Sequence, residues 1–167
     1  MIINIFPVPF EKKYILRHML ELYLYDMSDV SGSGDRMDLN EAGLFEYKYL
    51  DHYWTEEKRY PYLMTADDKY CGFALTTVNE SGGVRGGEFF IMRKYRNQGL
   101  GSKLAAYIFD KHRGECVIYT PVRNIMAQHF WRKAIQAAAI GNIAESIVEF
   151  KSGNEYMQWK FRNDQHS

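Results

Sequence analysis

Glu88-Phe89-Phe90-Ile91-Met92, followed by Arg93-Lys94-Tyr95 and then Arg96-Asn97-Gln98-Gly99-Leu100-Gly101, is the stretch from which the rest of the chain is best read. A dense apolar segment feeds a glycine loop, and a helical pattern begins at Leu100. The first amides of a helix have no internal partner, and the helix dipole favours negative charge beside them. Glycine lets such a backbone turn tightly and approach an anion closely. Arg93, Lys94 and Arg96 add positive charge, so the loop predicts a pyrophosphate cradle on the amides of Gln98 to Ser102. A turn that needs glycine for its geometry alone is the competing reading. A dinucleotide site of the G-x-G-x-x-G type is disfavoured, because Leu104 stands where the third glycine belongs and the motif comes late in the chain.

A second block follows: Asn124, Ala127, Phe130-Trp131 and Lys133. Arg96, Gly99 and Gly101 resemble the [R/Q]-x-x-G-x-[G/A] signature of the GNAT superfamily of N-acetyltransferases. The later block resembles that family's N-x-x-A-x-x-[apolar]-Y-x-K helix, and the two lie in the family's order and at its separation. The resemblance implies an α/β (α+β) fold with a mixed central sheet of about seven strands flanked by about four helices. It implies acetyl-CoA as acyl donor and no metal. It further implies that the pantetheine arm lies along Phe90, Ile91 and Met92, and that Arg96, Asn97, Gln98, Gly99, Leu100, Gly101, Ser102, Asn124, Phe130 and Trp131 belong to the coenzyme A site.

Composition suits one domain spanning residues 1–167, long enough to bury a sizeable core. Lys plus Arg and Asp plus Glu each number 21, so no general attraction to nucleic acid or anionic membrane is expected. The N-terminus lacks a basic leader and a cleavage site, and no apolar run is long enough to span a bilayer. Cys71 and Cys116 are far apart and lack His partners at metal spacing, which suits two reduced thiols in a cytoplasmic protein.

Along the chain, Ile2 to Phe6 reads as a strand and Glu11 to Met27 as a helix with apolar residues at helical period. Ser28 to Asn40 reads as a polar loop, and Leu44 to Trp54 as a second, aromatic helix. Strands are expected over 62–66 and 70–78 around an Asp67-Asp68-Lys69 turn, then a glycine-laden loop over 79–87 and a strand over 88–92. Leu100 to Lys111 reads as a helix, Glu115 to Thr120 as a strand, and residues 125–138 as a helix capped by Asn124. A hairpin over 146–150 and 155–161 closes the chain, with a frayed tail from Asn163.

Acetyl transfer to an amine sets chemical requirements. A lysine-like amine, with a pKa near 10.4, is neutral in only about one molecule in a thousand at pH 7. A base must take its proton, donors must stabilise the oxyanion, and the departing sulfur benefits from an acid. Glu88, a carboxylate on the strand before the cradle, is the candidate general base; burial among Phe89 and Phe90 would raise its pKa as that role requires. The alternative is an exposed strand-end carboxylate. Many members of the family place a Tyr near the sulfur where this chain has Trp131, whose indole cannot shuttle a proton. Tyr119 and His129 are the remaining candidates for the acid, against readings as a core aromatic and a surface helix residue.

The acceptor is expected to be a small-molecule or peptidic amine. Between Asp26 and Glu57 lie nine acidic residues, Asp26, Asp29, Asp35, Asp38, Glu41, Glu46, Asp51, Glu56 and Glu57, interleaved with Tyr23, Tyr25, Phe45, Tyr47, Tyr49, Tyr53 and Trp54. An acidic, aromatic cleft would suit a cationic amine; a solvated loop plus a core face is the alternative. A coenzyme-A-binding sensing module with weak catalysis remains the second functional reading, a homodimer is left open, and a toxin acting on aminoacyl-tRNA is disfavoured by the neutral charge.

Overall fold

The computed structural model describes residues 1–30 and 37–165. In chain order the elements are β1 (Ile3–Pro7), α1 (Lys13–Met27), α2 (His52–Thr55), β2 (Arg59–Ala66), β3 (Lys69–Val78), β4 (Val84–Ile91), α3 (Leu100–Lys111), β5 (Glu115–Pro121), α4 (Ile125–Ala138), β6 (Ala144–Glu149) and β7 (Glu155–Arg162). The strands form a 7-stranded sheet in the order β1-β2-β3-β4-β5-β7-β6. Every neighbouring pair is antiparallel except β4 and β5. The mixed sheet with its four helices is the expected architecture.

Each sheet face carries its own core. Leu16 and Leu20 of α1 pack with Tyr53, Leu63, Phe73, Leu75 and Phe90. On the other face, Leu104, Ile108 and Phe109 of α3 and Ile135 of α4 pack with Trp159 and Phe161. Leu16 and Leu20, one helical turn apart, are 0% and 1% exposed; burying each contributes about 1.5–3 kcal/mol. Strand alternation then sorts β4: Phe89 and Ile91 join the α3–α4 core, and Phe90 joins the α1 core. Glu88 shares the α1 face, where two side chains of the α1 side bond it.

Three expectations need correcting. The helix over 44–54 shrinks to His52–Thr55. Gly43 and Glu46 take positive φ values, and the Asn40 carboxamide accepts from the amides of Ala42 and Leu44, so local side-chain bonding displaces helix. The second half of the glycine loop before Glu88 is strand: β4 begins at Val84 and passes through Gly86 and Gly87 at φ 69 and 120. Asn163 is not frayed, since it is 3% exposed. Its carboxamide accepts from the Gly114 amide at 2.8 Å and donates to the carbonyls of Phe109 and His112. Asp35 and Arg36, in the expected polar loop, lie outside the described residues.

The β4–β5 junction positions the site. These strands register at the single pair Arg85 and Val117. Beyond it towards Ile91, β4 stays paired with β3 alone, with Phe90 opposite Phe73 and Ile91 opposite Gly72. Gly87 makes this path possible, because a Cβ there would overlap the carbonyl oxygen of Leu75 and its φ is +120. Gly87→Ala is expected to destabilise the fold by about 2–4 kcal/mol, measured as a fall in the urea midpoint.

Candidate active site

Glu88 sits at the point where β4 leaves β5. Its carboxylate accepts from the hydroxyl of Tyr23 on α1 through Oε2 and from that of Tyr47 through Oε1, the latter at 3.2 Å. Burial pushes its pKa up, and the two phenol hydrogen bonds oppose that rise by favouring the ionised form. No arginine or lysine joins them, so the carboxylate is held by neutral donors among the described residues. Burial, reinforced by Glu88's charge, raises the pKa of both tyrosines well above the phenol range and keeps them protonated. Tyr23 is fixed edge-on to Phe73 and Phe90 at ring distances of 5.9 and 6.0 Å.

The expected acidic cleft is not what gathers here. Asp26 bonds Arg93 at 2.7 Å and also pairs with Arg96. Asp51 pairs with Lys13 at 2.7 Å and Glu56 with Arg59 at 2.6 Å. Tyr53 is buried in the core, and the Trp54 indole donates to the Val8 carbonyl at 2.8 Å. Tyr53 nevertheless lies beside the Tyr47 hydroxyl and within reach of the Glu88 charge. The tyrosines that bond the carboxylate are Tyr23 and Tyr47, which sequence reasoning places in the cleft without assigning them to Glu88. They lie 65 and 41 positions from it, and the interleaving of Tyr with acidic residues was the only signal.

The cradle forms as a tight turn into α3. Asn97 and Gly99 both adopt left-handed φ, 60 and 77, and Gly99 caps the helix with no side chain bonded to the first amides. Space around Gly99 is open, whereas a Cβ at Gly101 would come within 3.0 Å of Phe130. Gly101 therefore also allows α3 and α4 to approach. Ser102 is exposed in the first turn, and Leu100 is buried. The Gln98 carboxamide donates back to the Lys94 carbonyl at 3.0 Å. Arg96 turns inward: its Nε donates to the Ile91 carbonyl at 2.7 Å, and its guanidinium lies 5.7 Å from the Phe90 ring centre and pairs with Asp26. It thus ties the loop to β4 and α1.

The second sequence block lies on the other sheet face. Asn124 caps α4, its Oδ1 accepting from the Ala127 amide at 3.1 Å. Phe130 and Trp131 pack on Phe89 at ring distances of 5.3 and 4.9 Å. Trp131 also lines a cavity of about 30 Å³ with Gly86, Gly87, Glu88, Phe89 and Ile118. Tyr119 of β5 lies on the α1 face of the sheet, near Gly86, with its ring 5.3 Å from that of Phe150. His129 is an exposed residue of α4. Among the described residues no cluster of His, Cys, Asp or Glu is placed to hold a metal, and no helix is long and apolar enough to cross a membrane.

The structure thus sets an uncapped helix start beside parting parallel strands, with a carboxylate on the opposite sheet face. The chain belongs to the acetyltransferase (GNAT) family, whose model matches residues 24–135. Its fold is similar to that of yncA from Salmonella typhimurium, a structure with its cofactor acetyl-CoA, at 12% identity, covering 100% of this chain and 97% of that one with a TM-score of 0.66. The paia N-acetyltransferase of Thermoplasma acidophilum in complex with coenzyme A is 13% identical over 95% of this chain and 98% of that chain, with a TM-score of 0.63. The ribosomal-protein-S18-alanine N-acetyltransferase of Escherichia coli is 11% identical over 99% and 97%, with a TM-score of 0.60. No curated protein matches the chain significantly by sequence.

Glu88 has a consequence for stability. Its folded pKa exceeds its unfolded one, so the folded state binds the proton more tightly and stability falls as pH rises between the two values. Above the folded pKa the ionised carboxylate penalises folding in full. Glu88→Gln, which keeps an acceptor for the tyrosines, is expected to raise Tm at pH 7 and not at pH 4. Each kcal/mol relieved corresponds to about 2–4 °C in a calorimetric scan.

Proposed function

We propose that the protein transfers the acetyl group of acetyl-CoA to a primary amine of a small-molecule or peptidic acceptor. The observation that carries this reading is Glu88, a partly buried carboxylate held by phenols, without a cationic partner among the described residues, where β4 leaves β5. Such a group attracts an ammonium and can take its proton at near-neutral pH.

The residues suit acetyl-CoA. The uncapped start of α3 from Gln98 to Ser102, with open space at Gly99 and Lys94, Arg93 and Lys103 nearby, suits a pyrophosphate. The freed edge of β4 at Phe90, Ile91 and Met92 suits the pantetheine arm, whose amides need strand-like partners. Asn124 supports this region by capping α4, and Phe130 and Trp131 by packing beneath β4. Bound acetyl-CoA supplies an activated thioester acyl group. Glu88 takes the ammonium proton, so that the lone pair can attack. Tyr119, on the same sheet face, is the candidate donor to the departing sulfur.

A second reading, a coenzyme-A-binding sensing module, is favoured by one observation. Trp131 fills the family's tyrosine position and packs among Phe89, Phe109 and Phe130, where it offers no proton. Free-thiol release from acetyl-CoA, followed across small amines, amino acids and short peptides, separates the two. Acceptor-dependent release supports the transferase; tight acetyl-CoA binding with no release supports the module. In the transferase, Glu88→Gln should lower kcat by about 10²–10³-fold near neutral pH and abolish the acidic limb of the wild-type profile. Ser102→Asp, placing an anion at the helix start, should raise KM for acetyl-CoA about tenfold with little change in kcat.

A further inference from the structure

We infer that Tyr47 carries the acceptor's proton to Glu88 and that Tyr23 is the residue that positions the carboxylate for this transfer; the inference rests on the reading of Glu88 as the base. Each carboxylate oxygen already has its phenol: Oε2 accepts from Tyr23 and Oε1 from Tyr47. The two tyrosines differ in how they are held. Tyr23 is carried by α1, locked edge-on against Phe73 and Phe90, and Asp26 one turn later anchors that helix to Arg93 and Arg96. Tyr47 comes from irregular chain ahead of α2, is partly exposed, and neighbours the exposed Tyr49 ring at 6.0 Å. Its 3.2 Å bond to Oε1 is longer than the usual range for O–H···O. It is the donor with room to shorten when a cation arrives.

Burial and the adjacent carboxylate keep both phenols neutral, so neither serves as a standing base. What a neutral hydroxyl can do is exchange. The Tyr47 oxygen accepts one proton from the acceptor ammonium as its own proton passes to Oε1 of Glu88. The amine is left neutral with its lone pair free, Glu88 becomes a carboxylic acid, and Tyr47 ends as it began. Charge and protons balance, and no water is required. Tyr23 keeps its proton throughout and stabilises the carboxylate before transfer.

The test uses the full chain, acetyl-CoA and the best acceptor from the amine series above. Tyr47→Phe should lower kcat about 10²-fold at every pH while KM for acetyl-CoA changes less than about twofold. Mixed H2O–D2O rate plots should be curved for wild type, with two protons moving, and linear for this variant. Tyr23→Phe should keep the high-pH plateau within a few-fold and move the acidic limb upward, because the carboxylate loses a donor to its ionised form. Tyr49→Phe should behave as wild type, and circular dichroism should show every variant folded. A wild-type plateau with a curved plot in Tyr47→Phe overturns the conduit. If Glu88→Gln is inactive in that case, the base assignment survives alone. If wild type releases no thiol with any amine, the transferase reading falls and takes this inference with it.

Discussion

The separation of β4 from β5 is the constraint on which the site depends. One parallel pair, Arg85 with Val117, joins the antiparallel blocks on either side. Beyond it the strands have different neighbours: β4 pairs only with β3, and β5 pairs with β7 through Tyr119 to Pro121. Backbone groups on the freed edges need partners from solvent or a ligand. Gly87, at φ +120, lets β4 lie close against β3, since a side chain there would collide with Leu75 backbone. Immediately after it, strand alternation sends Glu88 to one face and Phe89 to the other.

Helix α1 joins the two halves of this site. Tyr23 and Asp26 are three residues apart and so share a face of the helix. Tyr23 bonds the carboxylate, and Asp26 bonds Arg93 and Arg96 at the entrance to the cradle. Two guanidiniums sharing one carboxylate leave a surplus positive charge beside the start of α3, where an anion is favoured. The chain is neutral overall, yet its site separates charge: cationic loop on one side, phenol-held carboxylate on the other.

Much of the architecture was legible because it is local. Alternating and helical periods marked most strands and helices, and Asn124 marked the start of α4, a cap the structure contains. The failures share a cause as well. The helix expected over 44–54 had the right apolar spacing, but Asn40, Gly43 and Glu46 redirect the backbone. Gly86 and Gly87 read as loop because glycine usually punctuates, whereas here it lets a strand bend beside its neighbours. Asn163 read as tail because nothing in its own segment reveals the buried Gly114 amide it meets.

The candidate site divides along the same line. Residues 96–101 pointed to an anion-binding helix start, because a glycine turn and unpaired amides follow from sequence order alone. The sequence likewise made Glu88 a candidate through its place on a strand. Only tertiary structure could bring Tyr23 and Tyr47 onto its two oxygens, turn Arg96 inward to Asp26, and pair Asp51 and Glu56 with Lys13 and Arg59. Local geometry is written in neighbouring residues; the environment of a charge depends on which distant side chains the packed sheet and helices deliver to it.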